Sequence, residues 1–566
     1  MRSFLGLVLY FGGLAPLFAQ PIVPFPYNSI KEIVSDTAAV VSAHPLATMV
    51  GIDVLRRGGN AIDAAVAMQF ALAVVYPQAG NIGGGGFLLY RSAKGETAAL
   101  DYREKAALKA TENMYQDSLG RVLAQKCRFD VLSAGVPGTV DGMWKAHQKY
   151  GKKPWSALLE PAIQLAEKGY QITAREAAQL NKEQPNFVRF NTILPVFVRM
   201  DRPWEAGDWL IQKDLGNTLR WISSGGRDEF YKGRAAKLII REMEKRGGLI
   251  THQDLNAYQS VWRTPLEFEF QDMRVLSMPP PSSGGLLLQQ MLAMVTLLPD
   301  AEYAFHSAES VHAMAEVERR AYADRAMHLG DPDFWKVPAK ALTSPEYLYS
   351  RMRNFDPMKA TPSDSLMAGV FAVGEETTHY NVVDAEGNAV SVTTTLNDSY
   401  GSRTVVSAAG FILNNEMDDF SAKPGVPNLY GAVGGKANAI APGKRPLSSM
   451  TPTIVTRNNK TILVAGTPGG TTIPNSVFQL LVNAFIFKLS PSECVQQGRF
   501  HHQWRPDELF VEEGALTDEV LEQLRNKGHT VTVREPIGRV EAIFMDAQGK
   551  KTAVADRRGD DCAGGY

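Results

Sequence analysis

The sequence predicts a layered α+β fold, with helices on both sides of an antiparallel strand set. Three observations predict it. Residues 47–77, ATMVGIDVLRRGGNAIDAAVAMQFALAVVYP, alternate small and large apolar residues at helical spacing, and Gly58-Gly59-Asn60 divides them into two helices. From residue 377 onward short strand-like runs return: 379–383, 389–395, GFILNN, PTIVTRNNKTILVAG, HTVTVRE and VEAIFMDAQGKKTAVAD. Among these runs, SVFQLLVNAFIF and TDEVLEQLRNKG carry helical periodicity again.

The elements follow in order. The first segment, MRSFLGLVLYFGGLAPLFAQ, has one basic residue, Arg2, a short apolar stretch and the small residue Ala19 at its end. This is the pattern of a secretory signal peptide over residues 1–19, too short for a membrane span. An uncleaved anchor is the alternative, because Leu17 is larger than the residue usually found two positions before a cut. After the helical pair, GNIGGGGFLLYRSAKGETAALDYRE reads as a glycine loop followed by a hairpin, 87–90 against 97–102. The glycines lack both the GxGxxG spacing and the Lys-Ser/Thr of a phosphate loop, so close backbone packing accounts for them better than nucleotide binding. Residues 137–353 read as mostly helical. Residues 356–376 lose all periodicity and read as an exposed linker.

Composition narrows the function classes. The chain has 566 residues, a formal net charge of −1 and 45% hydrophobic residues. It has apolar material for a large core, and its charge balance gives no sign of a nucleic-acid partner. Three cysteines, Cys127, Cys494 and Cys562, are too few for a disulfide framework, and no Cys/His spacing indicates zinc.

The hairpin of residues 377–395 carries the chemistry. DAEGN supplies the turn, with Gly387 able to take positive φ. If Val383 sits opposite Ala389 or Val390, antiparallel pairing places Thr377 opposite Thr395 or Leu396. The first of these registers brings one hydroxyl from each strand together at the open end. Read alone, such threonines are ordinary strand residues. Other readings are equally bland: a surface salt bridge for Arg103, a solvated loop or cap for Asp418-Asp419, and structural hydrogen bonds for His501 and His502.

Taken together, TTHYNVVDAEGNAVSVTTTLN, GFILNNEMDDFSAKPGVPNLYG, GKRPLSSMTPTIV, GTPGG and GRFHHQWRPDEL resemble the γ-glutamyltransferase (glutathione hydrolase) family. In the first half the resemblance continues through GGNAIDAAVA, GGGGF, LDYREKA, SAGVPGTVDG and PPPSSGG, so it covers nearly the whole chain. It implies an N-terminal nucleophile hydrolase with a four-layer αββα sandwich. It also implies a precursor that cuts itself between Glu376 and Thr377, giving a large subunit (20–376) and a small one (377–566) that stay together.

The resemblance further assigns residues. Thr377 would be the nucleophile, with its own freed amine as base, and Thr395 would orient its hydroxyl. Gly469 and Gly470 would form the oxyanion hole. Arg103, Ser448 and Ser449 would hold the α-carboxylate of a γ-glutamyl group, and Asn397, Glu416 and Asp419 its ammonium. Tyr430 in GVPNLYGAVGG would gate the pocket. The implied partners are glutathione and other γ-glutamyl compounds, with water or an amino acid or peptide as acceptor. No cofactor or metal is implied, and the expected location is the periplasm or the exterior. A related acylase using the same threonine, and a secreted binding protein on an inactive fold, are the competing readings.

Overall fold

The computed structural model describes residues 24–298, 303–366, 377–426 and 434–566. The signal segment 1–19, Glu376 and Tyr430 lie outside the described residues. Two seven-stranded antiparallel sheets face each other. The first runs, edge to edge, through Cys562–Gly565, Ala39–Ser42, Thr377–Val383, Ala389–Thr395, Gly85–Arg91, Thr97–Asp101 and Val261–Arg263. The second runs through Glu32–Ser35, Lys551–Val554, Glu541–Met545, Lys460–Gly466, Thr453–Arg457, Met273–Ser277 and Leu266–Phe270. Val41, Leu89, Ile454, Val464 and Ile543 pack between them.

Helices cover both outer faces. Pro45–Arg56 and Ala61–Val75 lie on the first sheet, and Gly284–Val295, Ala308–His328 and Thr472–Phe485 on the second. The result is the four-layer αββα order. Ala61–Val75 is buried along its whole length, because its alanines let sheet and neighbouring helices approach from every side. Its start is fixed by a capping box between Asn60 and Asp63. Along Thr377–Val383 the side chains alternate between layers. Tyr380 reaches the Ala65 carbonyl at 3.1 Å on the helix side. Asn381 donates to the Glu541 carbonyl of the opposite sheet at 2.8 Å.

Several details differ from the sequence reading. Residues 261–277 form strands that extend both sheets, inside a region read as helical. LEFEF has period-two alternation, which the long helical surroundings obscured. GFILNN is not a strand. Its amides instead fasten loops together, Leu413 N to Thr404 O at 2.9 Å, Asn414 N to Gly83 O at 3.2 Å and Asn415 N to Leu396 O at 3.0 Å. HTVTVRE does contain a strand, Val531–Arg534, but in a separate three-stranded sheet. Over 356–366 the linker is irregular apart from a 3-10 turn at Ser363–Ser365, and it is pinned as well as exposed: the Trp504 indole donates to the Ser363 and Leu366 carbonyls, each at 3.1 Å.

Candidate active site

The first sheet presents a threonine pair where two of its neighbouring strands end. Thr377 is the first residue of its strand and stands opposite Thr395, with the hydroxyl oxygens 3.4 Å apart and both residues buried. The chain turns sharply just after Thr395. Asn397 adopts φ 79°, a left-handed conformation that asparagine tolerates, and its backbone N–H returns to Thr395 Oγ1 at 2.8 Å.

The glycine run forms the neighbouring strand. A Cβ on Gly84 would lie 2.1 Å from the Thr395 carbonyl, and one on Gly86 2.4 Å from that of Thr393. Close packing is therefore what these glycines supply. Asn81, just before them, ties the strand end down. Its amide donates to Thr394 Oγ1 at 3.1 Å and Thr395 O at 2.9 Å, and its oxygen accepts from Gly84 N at 3.1 Å and Thr139 Oγ1 at 2.6 Å.

The GTPGG loop joins Lys460–Gly466 to Thr472–Phe485. Gly466 packs on the His379 ring, two residues from Thr377; a Cβ there would meet His379 Cε1 at 2.2 Å. Gly469 and Gly470 take φ of 126° and 51°, positions that suit glycine. They lead into a helix N-terminus, where backbone N–H groups and the helix dipole favour negative charge. Tyr322 donates its hydroxyl to the Thr471 carbonyl, and Thr471 Oγ1 donates to Gln503 Oε1 at 2.6 Å. The Asn475 amide donates to His501 Nδ1 at 2.8 Å, so His501 Nε2 carries the proton that goes to Gln503 Oε1, also at 2.8 Å. Burial pushes His501 down to about 3 and His502 down to about 4. Both are neutral structural groups, as the bland reading expected.

The charged residues meet a short way along the chain. Arg103 pairs directly with Glu416 and Asp419, and its Nη1 lies 3.8 Å from Glu104. It also donates to the Pro446 and Leu447 carbonyls at 3.3 and 3.4 Å, just ahead of Ser448 and Ser449. The expected carboxylate-holding and ammonium-holding groups thus touch each other. Asn397 donates its side-chain amide to the carbonyl of Asn415, the residue before Glu416, at 3.0 Å. Burial works against the Arg103 charge, but the three carboxylates outweigh it and hold the guanidinium firmly protonated. Arg103 alone does not balance the buried Glu104 and Glu416 together with the part-buried Asp419. Burial accordingly raises Glu416 and Asp419 and pushes Glu104 up to about 7. Among the described residues, Glu104 Oε1 and Oε2 and Glu416 Oε2 accept no hydrogen bond from an N–H or O–H group, which favours two carboxyls sharing one proton.

Comparison with known proteins fits this geometry. The sequence model of the family described as Gamma-glutamyltranspeptidase matches residues 47–566. The chain belongs to that family. It is 45% identical over 559 residues to the glutathione hydrolase proenzyme of Escherichia coli strain K12, covering 97% of this chain and 96% of that protein. Among solved structures, a cephalosporin acylase from Bacillus halodurans superposes with a TM-score of 0.81 at 25% identity, covering 97% of this chain and 99% of the other. The Helicobacter pylori gamma-glutamyltranspeptidase matches with a TM-score of 0.56 at 43% identity, covering 58% of this chain and 94% of the other. This protein is therefore a gamma-glutamyltranspeptidase-family enzyme with the N-terminal nucleophile hydrolase architecture.

Two residues of this family site escaped the sequence reading. Asn81 lies just before the glycine run and Glu104 beside Arg103 in LDYREKA, and neither was singled out from the sequence. Only an unpaired acid beside a motif arginine could have flagged Glu104. A further cluster, His312, Glu316 and His529, has metal-like spacing but is closed on itself. The two rings hydrogen-bond each other at 2.8 Å, and Glu316 accepts from Thr361 N at 3.0 Å, Arg319 Nε at 3.2 Å and Arg320 Nη1 at 2.6 Å.

The Glu104 proton carries a stability prediction. Its folded value of about 7 lies above the usual 4.5, so the folded state binds this proton more tightly than the unfolded chain. That contribution is complete below the unfolded value and is lost as pH rises through the folded one; in full it is on the order of 3 kcal/mol. Glu104→Gln should therefore flatten the fall in melting temperature between about pH 5 and pH 8. Thermal melts across that range check it, and parallel curves for variant and wild type would contradict it.

Proposed function

We propose that this protein is a self-processing glutathione hydrolase and γ-glutamyltransferase. The observation that carries this reading is the register: Thr377 stands first in its strand, directly opposite Thr395, with the two hydroxyls within reach of each other. A threonine hydroxyl is a weak nucleophile and needs a base. In the proposed processing, Thr377 Oγ1 attacks the Glu376 carbonyl, the peptide becomes an ester, and water releases it. The freed α-amine of Thr377, with a reference pKa of roughly 7.7–8.0, then serves as the base. It takes the hydroxyl proton as Oγ1 attacks the γ-carbonyl of the substrate and gives it to the departing amine. Water or an amino acid or peptide acceptor removes the γ-glutamyl group from the ester. Thr395 orients the attacking oxygen, and the Gly469 and Gly470 N–H groups receive the oxyanion; losing one such donor typically costs about 3 kcal/mol.

The charged pole supports a γ-glutamyl substrate. Such a group brings a carboxylate and an ammonium on one carbon. Arg103 with Ser448 and Ser449 offers the first a partner, and Glu416, Asp419 and Asn397 the second. A ligand bearing both charges can insert between Arg103 and the acids and replace their direct pairing. The same reading gives Tyr430 the role of gate and residues 1–19 that of an export signal, both outside the described residues. The fold likeness to the cephalosporin acylase favours a second reading, an acylase acting on other acyl groups. An acylase of uncharged acyl groups has no use for Arg103 facing two acids.

Intact mass and N-terminal sequencing of the purified protein, with a glutamate-release assay on glutathione, test this reading. We expect two polypeptides, the smaller beginning at Thr377, and release that requires the α-ammonium. Full activity from one uninterrupted chain, or equal rates on acyl groups lacking that ammonium, would overturn it.

A further inference from the structure

Ser448 and Ser449 are both used by the protein as hydrogen-bond acceptors. Ser448 Oγ accepts from Met450 N at 3.1 Å, and Ser449 Oγ accepts from Arg325 Nη2 at 3.1 Å. A hydroxyl has one proton and two lone pairs, and arginine can only donate. Each serine therefore keeps its own proton, and neither proton has an acceptor among the described residues. Both residues are buried, at 2% and 7% exposure, where a polar group normally finds its partner. Two adjacent buried O–H donors with protons to give make a place for an anion.

Arg325 stands behind this pair. It lies in the last turn of Ala308–His328 and is 7% exposed. Its Nε donates to Ser283 Oγ at 3.0 Å, and Ser283 Oγ donates to the Ser448 carbonyl at 2.7 Å. One guanidinium thus fixes Ser449 directly and Ser448 through Ser283. Its field also acts on Asp419, opposing that residue's protonation. Arg103, by contrast, is engaged by Glu416 and Asp419.

We propose that Arg325 is a positioning residue of the carboxylate pole. By occupying the Ser449 lone pair it forces the hydroxyl proton outward, and it places a second positive charge behind the serines. The substrate carboxylate then meets two oriented donors and a fixed cation even while Arg103 is shared with the acids. This proposal rests on the γ-glutamyl reading above and adds to it the residue that sets carboxylate affinity.

The test uses the purified processed enzyme, γ-glutamyl-p-nitroanilide, and its analogue lacking the α-carboxylate, 4-aminobutanoyl-p-nitroanilide. For Arg325→Gln we expect the KM for the first substrate to rise by about tenfold or more, the usual loss for a hydrogen bond from a charged group. The kcat should stay within roughly threefold, since the interaction is made equally in ground and transition states. The KM for the analogue should not move. Arg325→Lys should recover part of the loss, and it carries the same comparison if the glutamine variant folds poorly. Adding Arg325→Gln to Ser449→Ala should do little further harm, because the two act through one contact. Equal KM changes on both substrates, or additive effects in the double variant, would overturn the proposal. A wild-type enzyme that does not distinguish the two substrates would instead overturn the γ-glutamyl reading beneath it.

Discussion

Thr377→Ala should leave the protein as one polypeptide without hydrolase activity. The substitution removes the only atom proposed to attack either carbonyl, that of Glu376 or that of the substrate, so processing and catalysis fail together. Losing a nucleophile of this kind typically lowers kcat by ~10⁴ to 10⁶. Folding should survive. Among the described residues the Thr377 hydroxyl makes one long contact, at 3.4 Å, while the strand is held by its full register with Ala389–Thr395. Thr377→Ser keeps the oxygen and loses only the methyl that restricts its rotamer, so it should process slowly and retain partial activity. A denaturing gel, intact mass and a glutathione assay on both variants check this. Two-chain material from the alanine variant would show that another group performs the cut.

The second large effect is on Arg103. Arg103→Met removes the guanidinium shared by Glu104, Glu416 and Asp419 while leaving the acids buried. Breaking a buried charge set from one side costs roughly 3–5 kcal/mol. The variant should melt well below wild type, and most of the loss should return at low pH, where the acids take up protons instead of needing a cation. In material that folds, KM for a γ-glutamyl substrate should rise far more than kcat falls. Arg103→Lys keeps the charge but cannot span Glu416 and Asp419 with a planar fork, so its stability should lie between the two. Melting curves at two pH values and steady-state kinetics check these outcomes. A variant as stable as wild type at neutral pH would mean that the acids are already protonated.

Much of this protein is legible without coordinates because its signals are local. Helical spacing in residues 47–77, the DAEGN turn and the index sum of its two strands are short-range properties. They place Thr377 opposite Thr395 before any packing is known, and the structure has that register. The failures are equally instructive. GFILNN has strand composition, but its amides are taken by the Thr404, Gly83 and Leu396 carbonyls, all supplied by other loops. Residues 261–277 extend both sheets although their surroundings are helical.

By itself the sequence determined the layered fold class, the hairpin, the glycine packing and the residue types of the site. Tertiary structure alone decided how the charges are distributed. It set Arg103 against Glu416 and Asp419, buried Glu104 beside them so that its carboxyl is raised, and brought Arg325 behind Ser449, more than a hundred residues away in the chain. The physical reason is range. Hydrogen-bonded registers and helix faces follow from neighbours a few positions apart, whereas protonation and ion pairing depend on whichever groups share a low-dielectric interior, and only the folded chain selects those.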